Sequence, residues 1–160
     1  MQLSKAPFRS STTRRGRLRG RLALCAVLGS WALPAAPDAA PAPKQFTAAL
    51  SGAQETPPNA SIGYGSAQIT YTDATKILCY AVSFAGMGSA EILAHIHGPA
   101  LPGVAGPVVY ALPLGNPKVG CIGPITTDEK KALFKNELYI NLHTAGLPGG
   151  ELRGQIMRIK

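Results

Sequence analysis

Histidine, aromatic residues and acidic charge are all scarce in this chain. Aromatics are 6% of its 160 residues, with one tryptophan, too few and too scattered for a surface that stacks nucleic-acid bases. No two carboxylates stand at helical spacing and no nucleophile sits in a Gly-x-Ser-x-Gly turn, so the usual sequence marks of hydrolytic catalysis are missing. Gly63-Tyr64-Gly65 lacks the strand–turn–helix setting of a phosphate loop and reads as a turn. The apolar stretch Leu22–Leu33 has twelve residues, short of the roughly 20 that span a bilayer. The three cysteines include no close-spaced pair, which argues against a cysteine-ligated zinc site.

Basic charge is abundant but unevenly placed. Of sixteen Lys and Arg, seven (Lys5, Arg9, Arg14, Arg15, Arg17, Arg19, Arg21) fall in the first 21 positions with no acid among them. From Lys44 onward nine bases face seven acids, a net charge of only +2. A basic head on a near-neutral body is an addressing pattern rather than a phosphate-binding surface, and no nucleic-acid partner is expected. Residues 1–33 read as an export signal, with n-region 1–21 and h-region 22–33. Thr13-Arg14-Arg15-Gly16-Arg17-Leu18 resembles a twin-arginine signal, although Arg17 stands where an apolar residue is usual; an ordinary Sec signal is the alternative. Residues 34–44 are a Pro/Ala linker without periodicity. The folded domain is expected over 45–160. The product would be periplasmic or secreted, with no stable transmembrane anchor in the mature chain.

Beyond that head two cysteines remain, Cys79 and Cys121. In an exported domain such a pair favours a disulfide, closing a loop of about 40 residues worth roughly 3–4 kcal/mol in the chain-entropy model; two separate buried thiols are the other reading. The body is β-patterned. Phe46–Leu50, Ser66–Thr72, Lys76–Ala85, Glu91–His97, Pro107–Leu112, Leu138–His143 and Glu151–Ile159 are strand candidates separated by Gly, Pro and Asp turns, with a long loop over 52–65. Thr126-Thr127-Asp128-Glu129 is a capping box, starting one short helix near 127–135 that closes an end of the fold. Short strands at this spacing argue for an all-β architecture, a Greek-key-like antiparallel β-sandwich.

All three histidines sit in two phrases, Ala94-His95-Ile96-His97-Gly98 and Asn141-Leu142-His143-Thr144. Strand alternation places His95 and His97 on one face; Tyr139, Asn141 and His143 share a face, as do Glu151, Arg153 and Gln155. If these strands are neighbours, the polar side chains converge. On one reading His95, His97 and His143 ligate zinc or copper, since neutral imidazole suits both metals. On the other they join a structural network with Asn141, Glu151, Arg153 and Gln155, tied to backbone carbonyls and to Glu151. A hydrolase using the same polar pocket is a third reading. No residue is assigned as catalytic.

Several phrases agree, in order, with one known family. Leu50-Ser51-Gly52-Ala53-Gln54-Glu55-Thr56-Pro57-Pro58, Gly63-x-Gly65-x-Ala67, Ala94-His95-Ile96-His97-Gly98-Pro99-Ala100, Gly106-Pro107-Val108-Val109, Tyr139–Ala145 and Gly149–Ile156 resemble the CHRD domain, named for the extracellular chordin proteins and frequent in exported bacterial proteins. The likeness covers about Gln45 to Ile159, with Thr56 where Val is common. Leu78-Cys79-Tyr80 and Gly120-Cys121-Ile122 look like a cysteine-containing bacterial subgroup with a single such domain. The resemblance implies a β-sandwich faintly like copper/zinc superoxide dismutase, but without that enzyme's fuller ligand set. No family-wide catalytic activity is implied. The chain is therefore expected to be an exported, non-catalytic binding or structural module meeting an unidentified envelope or extracellular ligand or protein; the alternative is a zinc- or copper-binding protein.

Overall fold

Side chains buried at every second position define the first four strands in the computed structural model, which describes residues 41–160. Phe46, Ala48 and Leu50 point inward from β1 (Lys44–Ser51), and Ala67, Ile69 and Tyr71 from β2 (Tyr64–Thr72). Leu78, Tyr80 and Val82 do so from β3 (Ile77–Ala85), and Ala94 and Ile96 from β4 (Glu91–His97). The chain continues through β5 (Val108–Ala111), β6 (Lys118–Ile122), α1 (Thr127–Phe134), β7 (Tyr139–Thr144), β8 (Leu152–Gln155) and β9 (Met157–Arg158). The export signal over 1–33 and most of the linker expected over 34–44 lie outside the described residues.

Every strand pairing is antiparallel. The order is β5-β4-β7-β8-β1-β2-β3-β6, with β9 added on β1. The two halves of this path join where β8 meets β1, at the pair Ser51↔Arg153. The sheet curls there, so the apolar faces of both halves close on one core that joins Phe46, Ile69, Leu78 and Val82 to Ile96, Ile140, Leu142 and Leu152. The chain leaves the first half after β3, returns to it for β6, and leaves again through α1 to β7. This is the expected all-β sandwich with one short helix. At the start of α1, Thr126 Oγ1 accepts from Glu129 N (3.2 Å) and Glu129 Oε2 accepts from Thr126 N (2.6 Å), the capping box read from the sequence. Phe134 packs edge-on against Phe46 and Tyr71, closing one end of the core.

Two elements differ from expectation. Strand β6 has an inverted pattern: Lys118 is 2% exposed while Val119 is 70% exposed, so hydropathy alternation does not reveal it. Lys118 is buried because its ammonium pairs with Glu91 and donates to the carbonyls of Pro113 and Gly115, both at 3.0 Å. Strand β6 brings Cys121 opposite Cys79 on β3, and the two are disulfide-bonded across 42 residues. The run expected over 151–159 breaks at Ile156, whose N–H bonds Leu138 O (2.9 Å), before β9 continues on β1.

Candidate functional site

Strands β4, β7 and β8 lie side by side, and their register stacks the polar residues in one patch. His95 pairs with Asn141, His97 with Tyr139, and Leu93 with His143; Asn141 in turn pairs with Arg153, and Tyr139 with Gln155. Since Ala94, Ile96, Ile140, Leu142 and Leu152 fill the core, these side chains occupy the opposite face of the sheet. Most of them are nevertheless buried, because segments 55–56 and 100–106 lie over them. Arg153 is the main staple: it donates to Thr56 Oγ1 (2.8 Å), Val104 O (2.9 Å) and Leu101 O (3.3 Å). Gln155 Nε2 adds bonds to Ala100 O (2.9 Å) and Asn136 O (2.8 Å).

The three histidines form one cluster, each offering a nitrogen within 4.8 Å of the others. His97 Nδ1 lies 3.0 Å from Gly106 O and His143 Nδ1 lies 3.0 Å from Pro148 O. A carbonyl only accepts, so each Nδ1 carries the proton and donates, which leaves Nε2 of both rings with a free lone pair. His97 Nε2 is buried with no hydrogen-bond partner. His95 Nδ1 is 3.1 Å from His143 Nε2, and no backbone carbonyl holds its ring. Tyr139 stacks on His97 with centroids 4.9 Å apart and planes 8° apart, and the Arg153 guanidinium carbon sits 3.6 Å from the centre of the Tyr139 ring. Burial, then repulsion from His143, lowers the His95 pKa. Burial also lowers that of His97, against its bond to Gly106. Both effects favour neutral imidazole, the form that binds metal.

The strand register brings His95, His97, His143, Asn141, Arg153 and Gln155 onto one face, but Glu151 stands apart from the imidazoles. It precedes β8, and its carboxylate turns to the other end of the strand pair, accepting from Thr144 Oγ1 (2.6 Å), Ser61 Oγ (2.7 Å) and Gly88 N (2.7 Å). Burial opposes its ionisation, yet these three donors outweigh burial and hold its carboxyl below the ordinary value. The acid that meets the patch is Glu55. Its Oε2 accepts from Asn141 Nδ2 at 3.1 Å, while burial drives its pKa from 4.5 to about 7, against the Asn141 bond and the charge of Arg153. Glu55 Oε1 and Asn141 Oδ1 are both buried without a partner. Glu55 lies in a loop with no alternation to assign it a face; the only sequence signal for it is its place in the Gln54-Glu55-Thr56 phrase.

Chemically the patch brings three imidazole nitrogens close enough that they could hold a metal ion, and two of the rings are oriented by backbone carbonyls. Among the described residues the three histidines are the one such group of metal-ligating side chains, and no helix is long and apolar enough to cross a membrane. Against known families, residues 46–156 match the family model described as CHRD domain. Neither the curated proteins nor the solved structures include a significant match.

Proposed function

The chain belongs to the CHRD domain family, and on that premise we propose that it is an exported, non-catalytic binding module of the periplasm or extracellular space whose binding element is the His95, His97 and His143 cluster, holding zinc or copper. The observation that carries the metal reading is the buried, unpartnered Nε2 of His97, on a ring that with His95 and His143 brings three nitrogens, one from each, within 4.8 Å of one another. Leaving a buried polar atom unpaired costs about 1–3 kcal/mol, and a metal ion would satisfy it. His97 and His143 would hold the ion through Nε2, and His95 through Nδ1. Zinc or copper would supply a Lewis-acid or redox-active centre to a fold that otherwise offers a hydrogen-bonded frame. The ligand type suits both metals.

Export is supported by the basic head and the short apolar stretch that follows it, and by the Cys79–Cys121 disulfide, a bond that persists in oxidising compartments. On this reading residues 1–33 address the chain, 34–44 are a linker, and 45–160 bind. The test is metal analysis of the protein purified without a histidine tag after exposure to zinc or copper and desalting. About one equivalent retained by the native protein, and none by His97→Ala, supports the reading. Equal and negligible retention by both overturns it.

A further inference from the structure

Resting on the metal reading above, we infer that the ion held by His95, His97 and His143 takes a small anion from solvent as a further ligand, entering past His95. Three observations lead there.

The first is the ligand count. A closed structural zinc site uses four protein ligands, whereas the described chain brings only three nitrogens together. No carboxylate or thiolate joins this group: Glu55 reaches the patch through Asn141, Glu151 accepts from Ser61, Gly88 and Thr144, and Cys79 and Cys121 are bonded to each other.

The second is charge. Three neutral imidazoles leave the charge of a divalent ion uncompensated. The Arg153 guanidinium adds to it: it lies on the Tyr139 ring that stacks against His97 and repels positive charge there. A partly buried site of net positive charge favours an anionic ligand over a neutral one.

The third is access. His97 and His143 are each 8% exposed and are clamped through Nδ1 to the carbonyls of Gly106 and Pro148. His95 is half-buried and meets only His143 through Nδ1, so it forms the solvent side of the cluster. Its neighbours on that face, Leu93 opposite His143 and Val108 opposite His97, are exposed and uncharged. No side chain there competes with an incoming anion.

The experiment loads the full chain with Cu(II) and titrates it with azide, following absorption and electron paramagnetic resonance. A saturable azide-to-copper charge-transfer band with an altered resonance spectrum is the expected result. Stoichiometric copper with spectra indifferent to azide overturns this inference and leaves the metal reading standing. Failure to bind copper or zinc at all overturns the metal reading itself. The entry side is tested by substitution. His95→Ala should weaken copper binding about tenfold or more, and added imidazole should restore it, because the gap opens to solvent. His97→Ala should not be rescued, since its gap lies behind Tyr139 and Gly106. Rescue of neither variant, or of both, overturns entry past His95; should His95→Ala fail to fold, the azide titration of the native chain still decides.

Discussion

Replacing Glu55 by glutamine should stabilise the protein above neutral pH and leave it nearly unchanged in mild acid. The carboxyl is 6% exposed and its pKa is raised from 4.5 to about 7, chiefly by burial. A tenfold change in proton affinity is about 1.4 kcal/mol, so the ionised group carries a penalty of at most about 3.5 kcal/mol. Solvent at the edge of the covering loop screens part of this, leaving about 1–2 kcal/mol. The sign follows from the raised folded value. Folding favours the protonated form, so the penalty is absent below the unfolded value of 4.5, grows as pH rises from 4.5 to about 7, and is complete above that. The protonated acid also offers a donor to Asn141 Oδ1, which is buried and otherwise unpaired. Glutamine keeps that shape and donor at every pH. Urea unfolding of both proteins with the disulfide intact, from about pH 5 to about pH 8, gives the difference directly and cancels the shared histidine titrations. The reasoning is refuted if the glutamine variant is the less stable one at about pH 8, which would mean that Arg153 requires the Glu55 charge, or if the difference does not vary with pH.

Other substitutions probe the frame around the cluster. Arg153→Lys keeps the charge but cannot reach Thr56, Leu101 and Val104 together; a loss of about 2–3 kcal/mol in chemical unfolding is expected. Gly150→Ala should also destabilise, because Gly150 has φ +133° and an added Cβ would lie 2.8 Å from Asn141 Oδ1 and both Glu55 oxygens; a variant as stable as the parent in thermal unfolding would contradict this. Peptide mapping by mass spectrometry under non-reducing conditions should find Cys79 joined to Cys121, and reduction should cost about 3–4 kcal/mol. Metal affinity should fall only as pH drops below the ordinary imidazole value of about 6.5, because burial holds His95 and His97 under it; a pH series of metal titrations would check this.

Much of the sandwich was legible because alternation and turn residues agree along β1 to β4 and β7. The helix was legible from Thr126 and Glu129 alone, a local device that needs no tertiary partner. Strand β6 escaped because its inward residue is Lys118, buried by an ion pair with Glu91 that only the fold brings together. The same holds at the site. Same-face spacing placed His95, His97, Asn141 and Arg153 together once their strands proved to be neighbours. It misplaced Glu151, which sits just outside β8 where alternation no longer governs direction. It was silent on Glu55, which reaches the patch from a loop 86 residues before Asn141. Side-chain direction is readable within strands; contacts made by loops are set by the fold.

X-ray absorption spectroscopy of the copper- or zinc-loaded, untagged chain tests the central claim most directly, because it counts imidazoles around the ion. Scattering from three imidazole rings is the predicted result, drawn from His95, His97 and His143. An ion surrounded by oxygen or sulfur ligands without imidazole would contradict the account.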